Sequence, residues 1–308
     1  MNDQRSFGDP KVLLPFLLIT LIWGSTWIVI KDQLGSVPPV WSVSYRFLIA
    51  GAAMFLLARL TGAAFRIGRE GHALAGVMAV LQFAINYNCV YAAEQYITSG
   101  LVAVVFALLI VPNALFSRIF FGHRMTTGFA VGSAVALAGV GLLFLQEVRM
   151  TEVPAGSVFA GIGLAVLAVL AASIANVMQL MNGIRTRPIS VMLGWAMLYG
   201  AAIDALFAWS VAGPPVIETR LGYWLGLLYL SVIASSLAFF LYYRIIRAIG
   251  PARAAYSSVL IPIIAMGFST LFEGYSWAPL AAAGGALALA GLVIALRSRP
   301  PPAPSPAD

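Results

Sequence analysis

Polar side chains recur at helical spacing inside several long apolar stretches of this sequence. Residues three or four positions apart lie on one face of a helix, so each set forms a polar stripe. Hydroxyl, amide and phenol groups in such a stripe can bind a ligand. Alternatively, they form hydrogen bonds between helices, worth about 0.6 kcal/mol each. The stripes are Tyr87, Tyr91, Glu94 and Gln95; Ser231, Ser235 and Tyr242; and Ser173, Asn176 and Gln179.

Other apolar stretches contribute isolated polar or aromatic residues and two prolines. The candidate substrate-binding set is Trp23, Tyr87, Tyr91, Asn113, Asn176, Gln179, Ser235, Tyr242 and Tyr256. Pro112 and Pro262 are candidate hinges, because a proline inside a helix removes a backbone donor and clashes with the carbonyl four residues earlier. A passive kink is the alternative for both prolines.

Two ionisable residues, Arg46 and Asp204, also lie inside apolar stretches, each six residues from one end. They can form an ion pair, or the arginine can bind a carboxylate through parallel hydrogen bonds. Alternatively, both side chains extend to the water interface or bind backbone carbonyls.

Residues suited to enzymatic or metal chemistry are sparse. His72 and His123 lie at the ends of apolar stretches, and Cys89 lies within one, so their spacing does not match a metal site. The sequence contains neither HExxH nor GxxxxGK[ST], and no two carboxylates share an apolar stretch. We therefore expect a protein that is not an enzyme and needs neither metal nor cofactor.

Composition determines which elements must position these residues. The 308-residue chain is 61% hydrophobic and 9% charged, whereas soluble domains carry about 25% charged residues. An α-helical protein that crosses the membrane several times fits these values. Ten stretches approach the ~20 residues needed per crossing. These candidate spans are 12–30, 40–60, 73–94, 98–120, 126–145, 157–181, 190–210, 221–243, 252–272 and 277–296.

The distribution of basic residues predicts the orientation. With both termini in the cytoplasm, 14 of the 18 Lys and Arg residues fall in cytoplasmic segments and three in outer loops. Basic residues stay on the cytoplasmic side during insertion, so this split favours cytoplasmic termini in a bacterial inner membrane. The net charge of +7 is thus a topology signal. A basic stripe with interleaved aromatics would indicate nucleic acid binding, and the sequence contains none.

One sequence pattern occurs twice. GSAVALAGVGLL (132–143) and GGALALAGLVIA (284–295) share six of twelve positions at an offset of 152, and Pro112 precedes Pro262 by 150. Similar composition is the alternative, but it does not explain the co-linear offsets. Duplication of an odd number of spans inverts the second copy. We expect repeats at 1–150 and 151–299, followed by a disordered Pro-rich cytoplasmic tail at 300–308. The small-residue ladder itself is a packing motif.

The sequence also resembles a known family. LIWGSTWIVIK (21–31) and SVSYRFLIAG (42–51) resemble the first two helices of the drug/metabolite transporter superfamily, EamA type, and 120–143 and 271–294 resemble its closing helices. The resemblance implies ten transmembrane helices, as two inverted five-helix repeats around a central cavity lined by helices 1, 3, 4, 6, 8 and 9. Since helices 2 and 7 are not in that set, the sequence favours the interface interpretation for Arg46 and Asp204.

These features predict a secondary transporter that exports small aromatic or other apolar amino acids by alternating access. The polar stripes suit a ligand with a bulky apolar part, and one arginine within the spans is too few for a phosphate. Alternatives are an exporter of lipophilic cations, or a membrane-embedded enzyme or receptor. The expected partners are a small-molecule amino acid and the lipid bilayer, without nucleic acid, and the chain is expected to be a monomer or weak homo-oligomer.

Overall fold

The computed structural model describes residues 9–35, 37–122, 126–150, 155–249, 254, 257–272, 274 and 278–297. These residues form helices and connecting turns, without a β-strand, as expected for an all-α membrane protein. The predicted tail at 300–308 and Tyr256 lie outside the described residues. The long helices are α1 Pro10–Gln33, α2 Pro39–Leu60, α3 Gly68–Ala93, α4 Ser99–Phe121, α5 Thr127–Met150, α6 Ala155–Met178, α7 Ile189–Ala212, α8 Leu221–Ala248, α9 Ser257–Phe272 and α10 Pro279–Arg297.

Seven of these helices, α1 to α4 and α6 to α8, are long and apolar enough to cross a membrane, with 22 to 28 residues each. A crossing requires about 20 residues. Their outward faces carry exposed leucines, such as Leu14, Leu56 and Leu206. In water such a surface would be unstable, whereas lipid tails solvate it, so the chain is a multi-pass membrane protein.

Local sequence signals define several helix ends. At the start of α1, the Asp9 side chain accepts a hydrogen bond from the Lys11 amide at 2.8 Å, and Pro10 occupies the first helical position. Helix α4 ends at Gly122, whose φ of 70° is left-handed. Helix α3 begins at Gly68, five residues before the predicted span, because its polar first turn continues the helix beyond the apolar run.

Helices α3 and α8 each contain a π-helical segment, Ala79–Ile85 and Tyr229–Leu237. In these segments an amide bonds to the carbonyl five residues earlier, as Asn86 does to Leu81 and Ala238 to Ile233. The extra residue in the turn shifts the phase of the side chains that follow. The starts and ends of the two segments are separated by 150 and 152 residues, the same spacing as the sequence repeat.

Helix α4 is interrupted between Ser99–Ala107 and Ile110–Phe121, directly before Pro112. Proline has no amide to bond to the carbonyl of Leu108, and this carbonyl accepts from the Val111 amide instead, at 2.8 Å. Helix α9, by contrast, is continuous through Pro262, whose side chain lies outside the described residues. The two prolines therefore occupy different backbone environments.

Helices α5 and α10 pack on each other through the duplicated small-residue ladder. A Cβ atom at Gly139 would lie 2.6 Å from the Gly284 carbonyl oxygen, and one at Gly291 would lie 2.6 Å from the Gly132 oxygen. Gly291 follows Gly139 by 152 residues, and Gly284 follows Gly132 by the same number, so the two contacts are equivalent. The contacting residue numbers rise along one helix as they fall along the other, so the helices run antiparallel. A local two-fold relation produces this pattern. The packing role predicted for the ladder is confirmed.

Helices α2 and α7 form the second large helix pair. A Cβ atom at Gly51 would lie 2.7 Å from a Leu198 methyl carbon and 3.2 Å from the Gly194 carbonyl oxygen. The Ser44 hydroxyl donates to the Ala201 carbonyl at 2.9 Å. This close approach holds α2 in one orientation, with Arg46 on its inner face.

The ladder predicts the effect of adding one methyl group. Gly139→Ala places a Cβ against the backbone of α10, and we expect a loss of about 1–3 kcal/mol of stability from overpacking. Gly141→Ala is the matched control, because a Cβ there meets nothing within 4 Å. It should be neutral or stabilising by up to about 1 kcal/mol through helix propensity. Melting temperatures in detergent measure the difference, and equal values for the two variants would contradict the packing role.

Candidate binding cavity

A cavity lies among the helices of the described chain, with about 900 Å³ of empty space that includes its opening to solvent. Six of the contributing helices are α1, α3, α4, α6, α8 and α9, the set that the resemblance implies, and α2 adds Arg46. The lining consists of Trp23, Thr26, Trp27, Ile30, Arg46, Gln82, Asn86, Tyr87, Val90, Ala103, Phe106, Ala107, Leu109, Ile110, Asn113, Ala172, Asn176, Phe239, Tyr242, Ser257 and Ile261.

Five residues of the predicted substrate-binding set line this cavity: Trp23, Tyr87, Asn113, Asn176 and Tyr242. Two further members are buried behind the lining or lie outside the described residues. Gln179 is buried behind it, with its amide nitrogen directed at the Ala175 carbonyl and the Met78 sulfur. Tyr256 lies outside the described residues. The hinge candidate Pro112 is buried beside the lining residue Asn113.

The remaining two predicted residues, Tyr91 and Ser235, bind Arg46 instead of lining the cavity. The Arg46 Nε donates to the Ser235 hydroxyl at 2.9 Å, and Nη1 lies 3.4 Å from the Tyr91 hydroxyl. The guanidinium carbon is 4.6 Å from the centre of the Tyr87 ring, within cation–π distance. Three helices, α2, α3 and α8, thus meet at this one side chain.

The favoured interpretation of Arg46 and Asp204 as interface residues is wrong. The exposed fractions of the two residues are 1% and 0%. Among the described residues no ion pair joins them, and Asp204 instead accepts a 2.7 Å hydrogen bond from the Asn88 side chain. Arg46 is turned inward because α2 packs tightly on α7, which leaves the opposite face of α2 directed at the cavity.

An aromatic group forms the apolar wall of the cavity. The Trp23 ring contacts Tyr242 and Phe239 at centroid distances of 5.0 and 5.4 Å, and its Nε1 donates to the Ala234 carbonyl at 3.1 Å. Trp27 contacts Phe106 at 5.2 Å. The wall therefore joins α1 to both α4 and α8, and it offers flat apolar surface to a ligand.

Gln82 and Asn86 are lining residues that sequence reasoning missed. On a regular helix, Gln82 lies about 140° from Tyr87 at 100° per residue, and so belongs to a different stripe. The π-helical segment between them changes that phase, and both side chains line the cavity. A hydropathy pattern does not reveal a π turn, although two amides four residues apart in an apolar run are a detectable signal.

Several polar atoms of the lining have no hydrogen-bond partner among the described residues. They are the side-chain oxygens of Gln82, Asn86 and Asn113 and the Nε1 of Trp27. Buried polar groups are normally hydrogen-bonded. The residues that line the cavity thus carry three acceptors and one donor without a partner in the described chain. In the same described residues, no cluster of three His, Cys, Asp or Glu side chains could hold a metal ion.

Comparison with known proteins agrees with this architecture. The model of the EamA-like transporter family matches residues 11–145 and again residues 159–297. One solved crystal structure superposes with a TM-score of 0.68 over 92% of this chain and 95% of the other, at 19% identity, and so shows a shared fold.

Curated relatives match most of the chain. Protein PagO of Salmonella typhimurium is 23% identical over 86% of each chain. The uncharacterized inner membrane transporter YedA of Escherichia coli K12 is 29% identical over 82% of this chain and 80% of its own. The uncharacterized transporter YoaV of Bacillus subtilis is 24% identical over 85% of this chain and 88% of its own. Two of these names describe transporters, and none specifies a substrate.

The cavity predicts which engineered cysteines react. Cys89 is the single cysteine, so Cys89→Ala provides a clean background. In detergent, Asn113→Cys should react several-fold faster with a charged methanethiosulfonate reagent than Val105→Cys. Both positions lie on α4, but Val105 is buried in the core and does not line the cavity. Equal rates, measured by mass spectrometry, would mean that water and solutes do not enter the cavity.

Proposed function

The chain belongs to the EamA-like transporter family, and from this premise we propose that it is a secondary transporter that exports small aromatic or other apolar amino acids. The observation that carries the proposal is the cavity, which combines an aromatic wall with unpaired amide oxygens and one arginine. The wall suits an apolar side chain, and the polar groups suit a small charged head group. In our proposal, alternating access exposes this cavity to one side of the membrane at a time.

We also propose that α5, α9 and α10 cross the membrane, which gives ten spans in two inverted repeats. Three observations support this topology. The family model matches twice, the α5–α10 contact has local two-fold symmetry, and the π-helical segments of α3 and α8 recur at the repeat offset. Five spans per repeat invert the second copy. The distribution of Lys and Arg supports cytoplasmic termini and, with the relatives named inner membrane transporters, a bacterial inner membrane.

Amino acid flux tests the proposed activity. Purified protein in liposomes should release preloaded radiolabelled phenylalanine faster than protein-free liposomes do, and runs with and without a pH gradient test proton coupling. Asn176→Ala should lower the rate several-fold because it removes a polar group of the lining. Leu170→Ala, on the same helix and exposed on its outer side, should leave the rate unchanged.

Binding or chemical turnover of phenylalanine without flux would contradict the transporter proposal and favour a receptor or enzyme. Flux of tetraphenylphosphonium without flux of phenylalanine would favour the exporter of lipophilic cations. Equal rates in Asn176→Ala and Leu170→Ala, at matched reconstitution, would mean that the polar lining does not contact the substrate.

The interruption of α4 generates a separate prediction. Pro112→Ala restores an amide that can bond to the Leu108 carbonyl, so α4 should become continuous and less able to bend. We expect phenylalanine transport to slow several-fold while the protein still inserts and melts at an equal or higher temperature. Pro262→Ala, the equivalent variant in α9, should slow transport as well. Parental rates in both variants would show that the prolines are packing features and that bending occurs elsewhere.

A further inference from the structure

Arg46 carries a positive charge and has no carboxylate within the ~4 Å of an ion pair among the described residues. The ion pairs there join Arg187 to Glu70 and Arg220 to Asp32, and Arg46 takes part in neither. Its partners are the neutral hydroxyls of Ser235 and Tyr91 and the face of Tyr87. A buried charge is costly inside a membrane and usually has a function there.

The contacts with Ser235 and Tyr91 do not use all the hydrogen-bond donors of the guanidinium group. It has five N–H donors in a planar fork, and two of them are directed at Ser235 and Tyr91. The remaining donors include both hydrogens of Nη2. Because Arg46 lines the cavity, these donors are available to a ligand. A carboxylate matches such a fork with two parallel hydrogen bonds.

Hydrogen-bond acceptors without a partner among the described residues lie on α3 and α4. The side-chain oxygens of Gln82, Asn86 and Asn113 are acceptors without partners in the described chain, and all three residues line the same cavity as Arg46. Gln82 and Asn86 are each only 3% exposed. An ammonium group has three donors and no acceptor, so amide oxygens satisfy it without a second charge.

We propose that Arg46 binds the carboxylate of a zwitterionic substrate, and that the amide oxygens of Gln82, Asn86 and Asn113 accept hydrogen bonds from its ammonium group. This assignment rests on the proposed transport function and specifies the substrate class, a ligand with a free carboxylate. The aromatic wall around Trp23 then receives the apolar side chain. A lipophilic cation without a carboxylate leaves the Arg46 charge uncompensated and is a poor ligand.

Three ligands with one aromatic skeleton test the assignment: phenylalanine, 3-phenylpropionate, which lacks the amine, and phenethylamine, which lacks the carboxylate. Their binding to detergent-purified protein is measured by calorimetry, and their flux is measured in liposomes. The parental protein should bind phenylalanine best and phenethylamine worst. Arg46→Gln should weaken both carboxylates roughly 10- to 100-fold, the effect of losing a charge-assisted hydrogen-bonded pair, and leave phenethylamine within about twofold of the parent.

Arg59→Gln is the matched control, since Arg59 lies on the same helix, is exposed at its end and does not line the cavity. It should bind all three ligands as the parent does. Arg46→Lys keeps the charge but lacks the planar fork, so its affinity for carboxylates should be intermediate. If Arg46→Gln does not fold, the order of affinities in the parental protein and in Arg46→Lys still decides the question.

Equal weakening of all three ligands by Arg46→Gln would show a structural role and overturn the inference. So would a parental protein that binds phenethylamine as tightly as phenylalanine, or one that binds neither carboxylate. Carboxylate binding that depends on Arg46 but occurs without flux would sustain the inference while it contradicts the transport function. The two failures are thus distinguishable.

Discussion

A guanidinium group inside a membrane protein requires polar neighbours, because lipid supplies none. In this chain Arg46 obtains them from Ser235 on α8 and from Tyr91 and the Tyr87 ring on α3. The three helices are therefore tied to one charge. Any motion that separates α3 or α8 from α2 must replace these contacts with water, with a ligand or with other side chains.

The rest of the fold isolates this polar centre from lipid. Helices α5 and α10 contact each other through glycine and alanine, and none of their described side chains lines the cavity, while α2 is held by its glycine contact with α7. Small residues permit close approach where no hydrophobic driving force exists between helices. Apart from Arg46 on α2, the polar residues that line the cavity lie on α1, α3, α4, α6, α8 and α9.

Sequence reasoning recovered the elements that depend on periodicity and composition. The apolar runs located the helices, and the repeated ladder located the α5–α10 contact. Five of nine candidate binding residues line the cavity, and three of these five, Tyr87, Asn176 and Tyr242, come from the polar stripes. The sequence analysis missed Gln82 and Asn86 because a π-helical segment changes the angular positions of the side chains on α3.

The environment of Arg46 was predicted wrongly for a different reason. The periodicity of a sequence shows which residues share one face of a helix. Which part of the protein that face contacts depends on the tertiary packing. The tight packing of α2 on α7 decides that Arg46 points inward, and this packing depends on the contact of Gly51 with Leu198. A lone arginine in an apolar run is compatible with the interface and with the interior, so the sequence alone favoured the wrong environment.

In the proposed inverted repeat, differences between equivalent helices are informative. Two halves in identical conformations would give both sides of the membrane equal access to the cavity, so a state that is open to one side only must be asymmetric somewhere. Helices α5 and α10 repeat each other's contacts, and α3 and α8 share a π-helical segment. Helices α4 and α9 differ, because α4 is interrupted before Pro112 and α9 is continuous through Pro262. Both line the cavity, so the asymmetry lies in the pair of helices where a change of access has the most direct effect on a bound substrate.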